Sequence, residues 1–138
     1  MTTRLNPYLS FRDNAKQAME FYQAALGGEL TLSTFGELHG SDDPAEQDKI
    51  MHGMLTSPSG LVLMGADIPS SMKYTPGDNY SVSLSGEDEA ELRGYWDKLT
   101  EGATIGEQLN KAPWGDTFGM FTDKFGVNWL VNIAGTPA

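Results

Sequence analysis

Hydrophobic positions in this chain switch between two periods, which predicts that strands and helices alternate. Residues 5–11 and 80–85 alternate apolar and polar side chains, as in a half-buried strand. Each of these stretches precedes a segment whose apolar residues lie three and four positions apart, which predicts a helix. The first helical face comprises Ala15, Ala18, Met19, Tyr22, Ala25 and Leu26, and the second comprises Leu92, Tyr95, Trp96 and Leu99.

Capping residues and glycines predict where these elements begin and end. Asn14 with Gln17 resembles a capping pair for the first helix, and Gly27 with Gly28 ends it. Ser85 is predicted to cap a second helix that begins at Glu87. An acidic loop is expected at 36–48. The remaining strands are predicted at 29–35, 50–56, 61–64, 103–107, 114–122 and 127–133.

The chain also repeats itself with an offset of 66 residues. The segments 53–56 and 60–64 recur as 119–122 and 126–130, glycine for glycine at their first positions. Two copies of one strand–helix–strands unit predict an α+β fold of two βαβββ modules related by a pseudo-twofold axis. Helices would lie outside curved mixed sheets whose inner faces surround a cleft. We expect one domain over 1–138, with the repeats at 4–67 and 79–134 joined by a linker at 68–78.

Composition narrows the possible functions. The chain has 138 residues, no Cys and a net charge of −10. This charge repels phosphate backbones and anionic lipid, so we predict neither a nucleic-acid nor a membrane partner. No apolar run approaches the ~20 residues that span a bilayer. A cytoplasmic location is the default prediction for such a chain.

Several short motifs together resemble one superfamily. They are Asn6-Pro7-Tyr8-Leu9, Glu20-Phe21-Tyr22, Met51-His52, Ser81-Val82-Ser83-Leu84, Trp114-Gly115-Asp116 and Asp123-Lys124-Phe125-Gly126. The chain resembles the vicinal oxygen chelate superfamily, which comprises glyoxalases, bleomycin-resistance proteins and ring-cleaving dioxygenases, and within it the PhnB-like branch. The resemblance covers nearly the whole chain and implies the same two-module fold.

The resemblance also implies where a divalent metal would be bound, at one residue on each of two strands per module. These positions correspond here to Asn6, Met64, Ser81 and Leu130. None is His, Asp or Glu, and a thioether or an isobutyl group is no ligand for Zn, Mg or Fe(II). We therefore predict that the superfamily metal site has been lost, and we predict no cofactor.

Strand alternation suggests what replaces the metal. It places neutral polar groups on the cleft side of the sheets, with Asn128 and Asn132 on one face of the last strand together with Leu130. These groups lie beside methionine side chains, which is typical of a small-molecule pocket. The alternative is that these polar side chains only form hydrogen bonds with one another or face solvent. The predicted ligand-binding residues are Asn6, Tyr8, His52, Met64, Ser81, Ser83, Trp114, Asn128 and Leu130.

His52 is the candidate catalytic residue, because an imidazole can exchange a proton near neutral pH. The sequence places no carboxylate beside it, so the simpler interpretation is a histidine that forms hydrogen bonds with neighbouring backbone or hydroxyl groups.

His39 lies in the acidic loop, where its spacing matches no metal motif. Trp114 is either a lid over a ligand or an aromatic plug at the start of a strand.

Three functions stay open from the sequence. The first is a metal-independent protein that binds a small, partly apolar molecule. The second is a glyoxalase-like lyase or isomerase that uses His52 or an unrecognised metal site, and the third is a non-catalytic association protein. A homodimer is also predicted, because the resemblance implies pairing and Trp129 and Phe125 are expected to offer apolar surface.

Overall fold

The computed structural model describes residues 3–135 and divides the chain into two compact units, with the boundary between Thr75 and Pro76. The first unit contains β1 (Tyr8–Phe11), α1 (Ala15–Leu26), β2 (Glu29–Thr34), a 3-10 helix (Pro44–Glu46), β3 (Ile50–Thr56) and β4 (Val62–Asp67). The second contains β5 (Val82–Gly86), α2 (Glu89–Leu99), β6 (Thr104–Lys111), β7 (Thr117–Thr122) and β8 (Asn128–Ile133). Neither α1 nor α2 is long and apolar enough to cross a membrane, and residues 3–135 contain no other candidate span.

The two units have the same sheet topology. The strand order is β1-β4-β3-β2 in the first and β5-β8-β7-β6 in the second. In each, the first strand runs parallel to the last, and the other pairs are antiparallel. This confirms the predicted α+β class and its two βαβββ modules.

The internal repeat corresponds to two hairpins with equivalent registers. Met54 lies opposite Met64 in the first unit, and Met120 lies opposite Leu130 in the second. The buried glycines Gly53 and Gly119 begin the repeated segments, so each hairpin presents a gap to its unit's helix.

Each helix buries the face that its apolar spacing predicts. The six apolar residues predicted for α1 are all buried. In α2, Leu92, Trp96 and Leu99 are buried, whereas Tyr95 is half-buried and donates a hydrogen bond to Glu91. Met19 and Trp96 lie over the glycine gaps. A Cβ at Gly53 would lie 3.6 Å from Met19 Cγ, and one at Gly119 would lie 2.6 Å from Trp96 Cη2.

Several predicted boundaries were wrong. β1 begins only at Tyr8, and Leu5, expected on the apolar side, is 100% exposed. β5 begins at Val82, which leaves Tyr80 40% exposed before it. β6 extends to Lys111 instead of 107, and β7 begins at Thr117 because a turn precedes it. Only the residues that pair with a neighbouring strand adopt regular structure, and alternation alone does not reveal where pairing ends.

Neither residue predicted to cap a helix does so with its side chain, although Asn14 is the residue at the N-cap position of α1. Asp88, not Ser85, caps α2, by accepting a hydrogen bond from Glu91 N. Asn14 precedes α1 but makes no side-chain cap. The acceptor at this helix start is Asp67, whose Oδ1 accepts from Ala15 N at 2.9 Å.

Asp67 connects β4, α1 and β3 through hydrogen bonds. It is the last residue of β4, and its Oδ2 accepts a second hydrogen bond from Ile50 N, at the start of β3, at 2.9 Å. The residue is only 4% exposed. A buried carboxylate is stable when backbone N–H groups satisfy its oxygens, and here both oxygens are satisfied.

The segment that follows β4 is fixed to the first unit by polar contacts. Ser70 N donates to buried Glu46 at 3.0 Å, and Arg12 Nη2 donates to Met72 O at 2.7 Å. The hydrogen bonds from Ser70, with a smaller contribution from Lys49, lower the pKa of Glu46 from 4.5 to about 2. Residues 68–78 contain no helix or strand and include the boundary between the units. The linker and the single-domain organisation stay predictions.

We expect Gly119→Ala to destabilise the protein more than Gly53→Ala. At Gly119 the new methyl would meet the rigid Trp96 ring and, at 2.9 Å, the backbone Cα of Leu109. At Gly53 it would meet the end of the flexible Leu32 side chain at 3.0 Å. Overpacking of this kind costs about 1–3 kcal/mol, so Gly119→Ala should lose about 2 kcal/mol and Gly53→Ala less. Urea unfolding measures both, and equal losses would contradict the proposed packing difference.

We expect Asp67→Asn to lower the free energy of unfolding by about 2 kcal/mol. The amide keeps one acceptor but turns its NH₂ group toward one of the two backbone donors, Ala15 N or Ile50 N. Asp78→Asn, at an exposed position, is the control and should change stability by less than about 0.5 kcal/mol. Thermal and urea unfolding report the difference. A variant as stable as the control would show that Asp67 does not hold these elements together.

Candidate ligand-binding faces

Each sheet has one face covered by its unit's helix and one that this helix leaves free. On β3 and β4, Leu55 and Leu63 point toward the helix and are buried, whereas Met54 and Met64 point the other way. On β8 the same alternation buries Trp129, Val131 and Ile133 and leaves the other three residues half-buried. We call the two exposed surfaces the first and second helix-free faces.

The first helix-free face comprises Tyr8, His52, Met54, Thr56, Val62 and Met64. Met64 lies between two strand neighbours, opposite Met54 on β3 and beside Tyr8 on β1. The Tyr8 and His52 rings have centroids 6.3 Å apart at an interplanar angle of 51°. This arrangement brings an aromatic ring, an imidazole and two thioethers onto one accessible surface.

A shallow groove of about 610 Å³ adjoins this face at the hairpin end of the sheet. It lies between the β3–β4 hairpin and the segment before β1. Of the predicted binding residues, only Asn6 lines it. The full lining is Arg4, Leu5, Asn6, Pro7, Thr56, Gly60, Leu61 and Val62. The groove is open and therefore extends the first face rather than enclosing a ligand.

The second helix-free face comprises Ser83, Phe118, Met120, Asn128, Leu130 and Asn132. Leu130 lies at its centre, between Ser83 on β5 and Met120 on β7. By register, Leu130 occupies the place that Met64 has in the first unit, and Ser83 occupies that of Tyr8. Asn6 and Ser81 each lie two residues before these strand positions, and their equivalence stays a prediction.

Hydrogen bonds fix the two asparagines on this face. Thr122 Oγ1 donates to Asn128 Oδ1 at 2.7 Å. Asn132 Nδ2 donates to Asp116 Oδ2 at 3.0 Å, and Gly135 N donates to Asp116 Oδ1 at 2.8 Å. The hydrogen bonds from Asn132 and Gly135 lower the pKa of Asp116 below its ordinary 3.8, so the carboxyl is ionised at neutral pH.

Trp114 lies in the turn before β7 and is 64% exposed. Its ring meets Phe118 edge to face, with centroids 5.9 Å apart. The residue is thus neither buried as a plug nor part of the strand.

The structure groups the predicted site residues within each unit. Tyr8, His52 and Met64 share the first face, and Ser83, Asn128 and Leu130 share the second. Asn6 and Ser81 lie outside the strands, just before β1 and β5. The site prediction omitted Asp116 and Asn132. The alternation of β8 already placed Asn132 beside Asn128, but the sequence shows no sign of its hydrogen bond to Asp116.

No group of three or more His, Asp or Glu side chains among residues 3–135 is placed to hold a metal ion. At the four positions implied by the resemblance, Met64 and Leu130 offer a thioether and an isobutyl group, which do not suit a hard divalent ion. At these two positions the side chains therefore do not fit the superfamily metal. His39 is exposed, with a positive φ of 54°.

Comparison with known proteins identifies the family. Residues 4–131 match the model of the Glyoxalase/Bleomycin resistance protein/Dioxygenase superfamily. Protein YjdN of Escherichia coli K12 is 31% identical over an alignment of 140 positions that covers 94% of this chain and 94% of that protein. The chain belongs to this superfamily. The resemblance stated from its motifs is therefore confirmed.

Solved structures agree with this assignment. Protein PA1353 from Pseudomonas aeruginosa is 36% identical with a TM-score of 0.83, and the match covers 96% of this chain and 98% of that one. A PhnB protein from Bacillus cereus, described as a putative 3-demethylubiquinone-9 3-methyltransferase, is 24% identical with a TM-score of 0.72. That match covers 96% of this chain and 100% of that protein, and at this identity it shows the fold alone.

Proposed function

We propose that this member of the superfamily binds a small, partly apolar molecule through its helix-free faces, without the superfamily metal. The observation that carries the proposal is the composition of these faces. Each surrounds an apolar centre, Met64 or Leu130, with neutral hydrogen-bonding groups. Small-molecule sites combine apolar surface with a few polar groups in this way.

The methionines support binding rather than a purely structural role. Met54 and Met120 are 37% and 36% exposed although they lie inside strands. Folding alone does not require apolar side chains at these positions, since threonine also suits a half-exposed strand. Flexible, polarisable thioethers adapt to apolar ligands of varied shape.

The enzyme alternative depends on His52. A histidine that acts as a base is normally oriented by a carboxylate or another acceptor. The Tyr8 ring lies beside His52, and among residues 3–135 no carboxylate forms an ion pair with the imidazole. Lyase or isomerase chemistry at His52 is therefore less well supported than binding.

We expect Met64→Lys to weaken binding of a neutral aromatic probe, indole-3-ethanol, at the first face by about tenfold. Leu130→Lys should weaken binding of the same probe at the second face by a similar factor. A charged ammonium at the centre of a face would have to be desolvated by the apolar part of the probe. Methyl-labelled methionines give the readout: the Met54, Met64 and Met120 signals should shift on titration. The Met72 signal should not, because Met72 lies outside both sheets.

Met72→Lys is the matched control, since it introduces the same charge at a 56% exposed position away from both faces. It should bind the probe like the unmodified protein. If the control loses as much affinity as the face variants, or if the face signals do not shift, the ligand site lies elsewhere. Recovery of the probe unchanged favours binding over turnover.

We also propose a cytoplasmic homodimer, although one argument for it was wrong. Trp129 offers no surface: it is 1% exposed, and its Nε1 donates to buried Asp123 Oδ2 at 2.9 Å. Support for the dimer comes from the superfamily's tendency to pair and from the edge strands of the two sheets, of which β2 and β6 are one in each unit. Light scattering at tens of micromolar, a typical range for reversible dimers, should give twice the chain mass, and a monomer would overturn it. Cell fractionation tests the location.

A further inference from the structure

Asp116 determines which end of the Asn132 amide is available to a ligand. An ionised carboxylate can only accept hydrogen bonds, so the Asn132 NH₂ group must face it, as the 3.0 Å contact shows. Asp116 is the hydrogen-bond partner of this side chain within residues 3–135. The Asn132 Oδ1 is therefore left as a fixed acceptor at this end of the second helix-free face.

An aromatic surface lies beside this acceptor. Phe118 is directly opposite Asn132 on the neighbouring strand, and the exposed Trp114 ring contacts Phe118. Cross-strand partners have Cβ atoms about 5 Å apart, so a group bound to Asn132 can also contact these rings.

The electrostatics at this end favour a cation. Asp116 is half-buried and ionised, and in the described part of the chain no Lys or Arg forms an ion pair with it. Aromatic faces attract cations through their quadrupole. The net charge of −10 adds a long-range attraction for a positively charged ligand.

We propose that Asn132 and Asp116 recognise the protonated amine of a ligand whose aromatic or apolar body lies against Trp114 and Phe118. Asn132 Oδ1 accepts a hydrogen bond from the ammonium group. Asp116 acts as a positioning residue that orients the amide and supplies the compensating negative charge. This inference rests on the proposed binding function and adds the chemical class of the ligand.

Three probes that share one ring system test the inference: tryptamine, indole-3-ethanol and indole-3-acetate, which are cationic, neutral and anionic at neutral pH. We expect tryptamine to bind about tenfold more tightly than indole-3-ethanol, and indole-3-acetate to bind most weakly. The Asn132 side-chain amide and the Trp114 indole N–H signals should shift in ¹H–¹⁵N spectra. Equal affinities for tryptamine and indole-3-ethanol would overturn the inference.

Variants separate recognition of the amine from general binding. Asn132→Leu and Asp116→Asn should each abolish the preference for tryptamine over indole-3-ethanol. Asn128→Leu alters the other asparagine on β8 and should keep the preference. Circular dichroism establishes that each variant is folded, and a folded Asn132→Leu that keeps the preference would overturn the inference.

The two proposals fail in different ways. If all three probes bind the second face with the same affinity, the binding function stands and amine recognition is wrong. If none of the probes shifts any signal from either face at millimolar concentration, both are wrong.

Discussion

A buried carboxylate holds the first unit together. Asp67 joins the end of β4 to the start of β3 and to the first turn of α1, so one side chain fixes the position of the helix relative to the sheet. The negative charge also lies at the helix N-terminus, where the backbone dipole stabilises it. With α1 fixed on one face, the opposite face of the sheet is available for other contacts.

The buried carboxylate of the second unit stabilises a hairpin, through hydrogen bonds that come from the hairpin itself and not from the helix. This carboxylate, Asp123, lies in the turn between β7 and β8 and accepts hydrogen bonds from Phe125 N, Val127 N and the Trp129 indole. The corresponding residue in the first unit is Ser57, whose hydroxyl accepts from Leu61 N. The hairpins therefore share their register while the buried charge has a different place in each unit. Such differences are expected when two copies of one unit change independently.

The sequence predicted the order and type of the helices and strands better than the residues at which they begin and end. Apolar spacing identified every buried residue of α1, because burial on one helix face is a periodic property of the local chain. The cap of α1 comes from Asp67, fifty-two positions from Ala15, and no local pattern reveals such a partner. Likewise, alternation placed Asn128, Leu130 and Asn132 on one face, but the orientation of the Asn132 amide depends on a residue in a turn. Properties set by neighbours on the same strand were predictable, and those set by distant partners were not.

The strand order also has a consequence for how the chain folds. In each unit the first strand pairs with the last, Tyr8 with Met64 and Val82 with Trp129, so that sheet closure requires contacts across nearly the whole module. The hairpin can form early because its ends are close in sequence, whereas the parallel pair must first overcome the entropy of closing a long loop. Until that step, one edge of β4 and one edge of β8 are unpaired, and unpaired strand edges make a folding chain prone to pair with other chains.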